Sequence, residues 1–177
     1  DTRSVYFEDM RIPAENILGN PAQGFKQFLR TLTGGRITIG ALSLGTAQGG
    51  YDAALRYSQE REAFGNAINK FQGVSFKLSD MATEIQAAKH LVYHAAWLKD
   101  NGYDVIKEAA MAKLFASEMA MRVTTEAIQI HGGYGYIKEY DVERFFRDAK
   151  ILEIGEGTSE IQRIIIGREI LKSISVT

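Results

Sequence analysis

The chain contains no cysteine. That excludes a disulfide framework, thiolate metal sites and a cysteine nucleophile, and it makes an intracellular or organellar interior the expected compartment. Proline is almost missing as well: Pro13 and Pro21 are the two copies, and none follows. The long stretch after Pro21 is therefore free to run in uninterrupted helices. Neither sign of charge is in excess, with 21 Lys and Arg against 22 Asp and Glu. No bulk field argues for nucleic acid or an anionic membrane as partner, so any binding must be local. No apolar run reaches the roughly 18 residues that a membrane span requires, and no basic start leads into an apolar h-region. His90, His94 and His131 are scattered. "HLVYH" lacks the metalloprotease glutamate, and none of the three has a Glu three residues before it, so no metal site is expected.

What is present is mostly helical spacing. The 177 residues suffice for one core that buries roughly two-thirds of the unfolded surface. "RSVYFED" is rich in β-branched and aromatic residues, and Pro13, Gly19, Asn20 and Pro21 then break regular structure, which predicts a strand followed by an arm. The chain opens at Asp1 without a methionine and reads like the tail of something larger. Beyond the arm the expectation is all-α: an up-and-down four-helix bundle with a short β or irregular arm at its N-terminus.

Within residues 72–99, Val74, Leu78, Met81, Ile85, Ala88, Val92 and Ala95 alternate at intervals of four and three. That is the seam of helices packed at a shallow angle. Residues 105–130 are mostly apolar apart from Lys107, Glu108, Lys113, Glu118, Arg122 and Glu126, the last three forming a stripe at spacing four, so this helix must be covered on most sides, inside a bundle or against other subunits. Residues 23–62 form a helix with Ile37, Ala41, Leu44, Gln48, Tyr51 and Leu55 at bundle spacing. Its many glycines each cost about 1 kcal/mol relative to Ala, and close approach of a helix or ligand is the usual compensation. The last helix is expected from Ser159 to about Lys172, with Ser159 and Gln162 fitting an S-x-x-Q capping box. "NGYD" at 101 and "HGGYGYIKEYD" at 131 supply the bends.

Residues able to carry chemistry sit around these boundaries. Glu156 lies between two glycines in "EIGEGTSEIQR", three residues before the expected cap, where the helix macrodipole favours a carboxylate. Held in a dry site it is a general base; on the surface it is ordinary dipole compensation. Arg61 in "QEREAFG" has two readings too: a bidentate phosphate ligand beside Phe64, or a solvated arginine at a helix end. "QIHGGYGY" is glycine-rich, but it does not fit G-x-G-x-x-G after a strand.

The order of the motifs adds a resemblance. "GGRITIGALSLGTAQGGYDAALRYSQEREAFG", "FQGVSFKLSDMATEI" and "KEAAMAKLFASEMAMRVTTEAIQIHGGYGYIKEYDVERFFRDAKILEIGEGTSEIQRIIIGREIL" resemble the carboxy-terminal half of the acyl-CoA dehydrogenases, over nearly the whole chain. The resemblance implies residues 1–22 as the end of a middle β-domain with its linker, and residues 23–177 as the helical bundle. It implies FAD as cofactor and an acyl-CoA substrate that loses an α-proton to a base and a β-hydride to the flavin. An electron-transferring flavoprotein is the implied acceptor, and the bundles would form a homotetramer in a bacterial cytoplasm or mitochondrial matrix.

Residue by residue, Glu156 matches the base and Gly157 the neighbour whose backbone lies at the thioester. Arg36 in "GGRITIG" matches an arginine close to the CoA substrate. Arg61, Phe64, Gln72, Gln129, Gly132 and Gly133 match contacts to the dinucleotide, Arg61 and Phe64 reaching that of a neighbouring subunit. Thr158 and Glu160 match residues beside the flavin. Because that flavin site is shared, the resemblance also implies that the apolar face of residues 105–130 lies between bundles. Some members carry the base around Gly34, Gly35 and Arg36 instead; here position 35 is glycine and position 156 is the acid. Gly155 and Thr33 depart from the frequent Tyr and Asp, and the remaining pattern is nearest to short-chain or branched-chain enzymes. The family's other domains have no counterpart in this sequence, so the isolated chain is expected to be an inactive fragment. An oxidase on the same scaffold and a non-catalytic oligomerisation bundle are the alternatives.

Overall fold

The computed structural model describes residues 3–172; the ends of the expected arm and bundle, residues 1–2 and 173–177, lie outside them. Two compact units divide the chain, residues 1–31 and 32–177. In the first, residues 3–13 form no strand, against the expectation for "RSVYFED". A strand is held by the ladder it shares with another, and among the described residues no partner lies beside this one. Short 3-10 turns follow at Ala14–Asn16 and Pro21–Gln23, the second capped by Asn20, whose Oδ1 accepts the Ala22 N–H at 2.9 Å.

The all-α expectation holds. The helices are α1 (Gly24–Glu60), α2 (Gln72–Asp100), α3 (Ile106–His131), α4 (Val142–Ile154) and α5 (Ser159–Lys172). Between α1 and α2 stands a small antiparallel hairpin, β1 (Glu62–Ala63) and β2 (Asn66–Ala67), which sequence reasoning did not foresee. Its two-residue turn, Phe64 and Gly65, has φ of +52° and +77°, the primed geometry that matches strand twist. The fourth layer of the expected bundle is divided into α4 and α5, which both pack on α3. Among the described residues no helix is long and apolar enough to cross a membrane.

Side-chain contacts fix the helix directions. Lys77 pairs with Glu126 and Glu84 with Arg122, so α2 and α3 are antiparallel. Gly40 faces Ala112 while Gly50 faces Thr124 and Ala127, so α1 runs parallel to α3. Lys113 reaches Glu153, near the end of α4, and Glu118 reaches Arg163 of α5. Within residues 32–177, the stretch of α1 around Gly34–Gly40, the starts of α3 and α5 and the ends of α2 and α4 thus share one end of the bundle.

The α2 seam is as expected: Leu78, Met81, Ile85, Ala88, Val92 and Ala95 are buried, with Val74 partly so. On α1 Ile37 is buried as expected, but the rest of the buried stripe is Arg36, Gly40, Ser43, Ala47, Gly50, Ala54 and Ser58. Ala41 and Gln48 are exposed, and Leu44, Tyr51 and Leu55 only flank the core. Small residues win the contact because the helix axes come close: a Cβ on Gly40 would lie 3.2 Å from Val92 Cγ2. The expectation that α3 presents its apolar face to other bundles is corrected as well. That face, including Met119, Val123 and Ile130, is buried within its own chain by the helices around it. The Glu118, Arg122 and Glu126 stripe is spent on ion pairs to α5 and α2, each worth about 0–1 kcal/mol at such exposure.

Candidate active site

The loop from α4 to α5 carries Glu156. Glu156 and Gly157 both have left-handed backbones, with φ of +57° and +97°. A non-glycine residue in that region costs on the order of 1–3 kcal/mol and persists only where surrounding contacts hold it. At Gly157 the geometry demands glycine, because a Cβ there would also lie 2.9 Å from Gln162 Nε2. The helix that follows begins at Ser159, as expected. Thr158, not Ser159, is the cap: its Oγ1 accepts the Ile161 N–H at 3.4 Å. Ser159 Oγ is buried without a partner, and Gln162 turns back to the loop instead of closing a capping box.

The Glu156 side chain points at α1. A Cβ on Gly35 would stand 2.5 Å from Glu156 Oε2 and 2.9 Å from its Cδ, so the carboxylate occupies space that any other residue at 35 would fill. Glu156 Oε2 is buried and has no hydrogen-bond partner; the Nε of buried Arg36 shares that condition. Burial pushes Arg36 below the ordinary arginine value, and the charge of Glu156 opposes that shift. Gly34, Gly35 and Arg36 lie within α1, so their glycines serve close approach and not a bend. Lys99 Nζ, from the end of α2, lies 2.7 Å from the space of a Cβ on Gly34.

Sequence reasoning missed Lys113, on α3 beneath this loop. It is completely buried, and its Nζ donates to the carbonyls of Glu153 at 3.0 Å and Gly157 at 2.9 Å. Burial lowers its pKa, while Glu153, Glu118 and Glu160 oppose the shift. The available signal was a lone lysine in the apolar run "AAMAKLFA". Thr158 and Glu160 line a small cavity of about 240 Å³ with Glu118 and Lys150. Its own backbone N–H and the Thr158 hydroxyl hold the Glu160 carboxyl below the usual carboxylate range.

The other expected site residues gather at the opposite end. Arg61, Gly132, Gly133 and Tyr134 line a cavity of about 480 Å³ with Tyr57 and Ile68. The Arg61 guanidinium stands 5.7 Å from the centre of the Tyr134 ring. Beneath it His131 stacks on Tyr57 with centroids 4.2 Å apart, and its Nδ1 donates to the Ala127 carbonyl at 2.8 Å. Burial lowers the His131 pKa, the Ala127 carbonyl opposing the shift, and because a carbonyl only accepts, Nδ1 carries a proton. Gln129 near the end of α3 and Gln72 at the start of α2 are exposed. Phe64 at the hairpin tip is 96% exposed and meets Phe71 edge to face. From Arg36 to Glu60 α1 rises roughly 36 Å, so the two groups of residues cannot surround one ligand atom within a single chain. One end of the bundle thus offers a guanidinium and glycine backbone of the kind that suits phosphates, and the other carries buried polar atoms without partners at Arg36 and Glu156.

The profile of the family described as "Acyl-CoA dehydrogenase, C-terminal domain" matches residues 22–171. The chain belongs to the acyl-CoA dehydrogenase family, of which it carries this C-terminal domain. It is 60% identical over 172 residues to the probable acyl-CoA dehydrogenase YngJ of Bacillus subtilis, covering 97% of this chain and 45% of that protein. It is 47% identical over 171 residues to the caffeyl-CoA reductase-Etf complex subunit CarC of Acetobacterium woodii, with 97% and 45% coverage. Among solved structures, butyryl-CoA dehydrogenase from Megasphaera elsdenii superposes with a TM-score of 0.91 at 51% identity, covering 93% of this chain and 43% of that one. The chain thus spans less than half the length of the curated relatives it matches.

Proposed function

We propose that this domain supplies the base and part of the cofactor site of an FAD-dependent acyl-CoA dehydrogenase, which converts acyl-CoA thioesters to trans-2-enoyl-CoA. Residues 1–22 are the end of the preceding β-domain and its linker, and residues 23–177 are the catalytic bundle. The observation that carries the reading is the Glu156 carboxylate, whose Oε2 is buried without a partner and which is seated where a side chain at position 35 would stand. A buried acceptor left unpaired is costly, and a proton drawn from substrate is the partner that would satisfy it.

Glu156 removes the proton from the carbon α to the thioester carbonyl, whose electron withdrawal makes that carbon acidic. Bound FAD supplies the acceptor for the hydride that leaves the β-carbon. The backbone at Gly157 approaches the thioester, because no Cβ stands in the way, and Arg36 directs its guanidinium to the CoA ester. Thr158 and Glu160 lie beside the flavin. Arg61, Phe64, Gln72, Gln129, Gly132 and Gly133 hold the dinucleotide of a second copy. Two observations support this division: the roughly 36 Å of helix between the two groups, and a fully exposed aromatic ring held at positive φ on a hairpin tip. The subunits then form a homotetramer, or a dimer of dimers. The acceptor is an electron-transferring flavoprotein, and the favoured substrates are short or branched acyl chains, as the likeness to a butyryl-CoA enzyme supports.

The test is anaerobic titration of the full-length parent protein with butyryl-CoA, following the flavin absorbance in wild type and in Glu156→Gln. Bleaching in wild type that falls by at least about 10³-fold in rate in the variant is the expected result. Equal bleaching in both would reject Glu156 as the base.

A further inference from the structure

Among the described residues, Lys113 and Gln162 are the two largest polar side chains that are completely buried, and both converge on the same four-residue loop. Lys113 Nζ donates to the Gly157 carbonyl at 2.9 Å and to the Glu153 carbonyl at 3.0 Å. Gln162 Nε2 donates to the Gly157 carbonyl at 2.8 Å and to the Glu156 carbonyl at 3.3 Å. Both groups facing Gln162 are carbonyl oxygens, so its amide must present nitrogen to them. The loop is thereby held from below by α3 and from its own C-terminal side by α5.

The pattern answers a question of cost. Glu156 and Gly157 are consecutive residues in the left-handed region, a conformation that persists only where surrounding contacts hold it. Burying a lysine amine is also expensive unless its hydrogen bonds are made. Among the described residues no carboxylate lies within ion-pair distance of Lys113 Nζ; its acceptors are both backbone carbonyls. A methionine or leucine would fill the space without that cost. Lys113 therefore does what an apolar residue cannot: it tethers the final turn of α4 and the turn after Glu156 to one point on the central helix.

We propose that Lys113 and Gln162 are positioning residues for the base. Through the carbonyls of Glu156 and Gly157 they lock the left-handed turn that aims the Glu156 carboxylate at Gly35. Neither touches the reacting atoms. This inference rests on the reading of Glu156 as the base.

The experiment uses the full-length parent protein with bound flavin. Stopped-flow reduction by butyryl-CoA, without oxygen, is compared in wild type, Lys113→Met, Gln162→Leu, the double variant and Glu156→Gln. Methionine keeps the length and volume of lysine and removes the donors. The expected result is a fall of about 10²-fold in the limiting reduction rate for Lys113→Met, the cost of a misplacement of about 1 Å. The substrate Kd should stay within about threefold, because uniform binding is untouched. The double variant should lose less than the product of the single losses, since both donors serve one carbonyl. In Lys113→Ala, added n-propylamine should restore part of the rate, and n-propanol should not.

A purely structural lysine gives a different pattern: lower thermal stability with a wild-type limiting rate, which overturns the proposal. Equal rescue by amine and alcohol overturns it too. If Lys113→Met does not retain flavin, Gln162→Leu decides, and a wild-type rate there overturns the proposal. Wild type and Glu156→Gln separate the two levels. No difference between them removes the underlying reading, whereas a large difference with an unimpaired Lys113→Met removes this inference alone.

Discussion

Replacing Gly35 by alanine tests the site geometry with one carbon atom. The added Cβ would lie 2.5 Å from Glu156 Oε2, 2.9 Å from Cδ and 3.4 Å from Oε1. Ordinary contact begins near 3.4 Å, so the carboxylate must retreat by about 0.9 Å. Two effects on stability oppose each other. Alanine gains about 1 kcal/mol over glycine inside a helix, while pushing the glutamate off its rotamer costs about 0.5–1.5 kcal/mol. They nearly cancel, and the fold should keep its stability to within about 1 kcal/mol. The chemistry has no such compensation. A base displaced by nearly 1 Å loses about 10²-fold in rate. The assay pairs anaerobic flavin reduction by butyryl-CoA with thermal denaturation of the same preparation of the full-length protein. Slow reduction with an unchanged melting curve is the expected outcome. Wild-type reduction would mean that the carboxylate does not work from the place where Gly35 admits it. Loss of several kcal/mol would mean that the loop cannot yield.

His131 gives a pH prediction. Burial depresses its pKa below the ordinary 6.5, so between the folded value and 6.5 the unfolded chain binds more protons. Stability therefore falls as pH drops through that window and levels off below the folded value; His131→Gln should flatten this slope in denaturant titrations on either side of 6.5. Arg61→Gln should weaken flavin retention by about tenfold or more, the scale of a lost charged hydrogen bond of about 1.5–3 kcal/mol, and leave the helical content unchanged by circular dichroism. Met119→Ala, at a position that is fully buried, should cost about 2–5 kcal/mol in chemical denaturation, with no direct effect on the Glu156 loop.

The α2 seam was legible because its apolar residues are large and strictly spaced: six of the seven named positions are buried and Val74 is partly so. On α1 the same rule was right at Ile37 and beyond it pointed one position away from the true contact. There the core is reached by Gly40, Ser43, Ala47 and Gly50, residues whose value is small volume, which a hydrophobicity pattern does not score. The strand expected in residues 3–9 failed for the complementary reason. A propensity for extended backbone was present, but a strand exists only with a partner. The cap at α5 moved by a single residue because Ser159 and Thr158 are both good caps, and the backbone of the loop chose between them.

By itself the sequence determined the helical class, the bends, the absence of thiol chemistry and the family whose motifs it carries in order. It also singled out Glu156, because an acid between two glycines before a helix is an unusual local pattern. Only the tertiary structure decided what faces that acid. Gly35 lies more than a hundred residues earlier in the chain and Lys113 on a third helix, and no local rule connects them. The separation of the expected ligand contacts onto opposite ends of the bundle is likewise a product of packing, since it follows from the directions in which α1, α2 and α3 run past one another. Periodicity reports which face of a helix is buried; which atoms meet across that face depends on how closely two helices approach, and that distance is set by both partners at once.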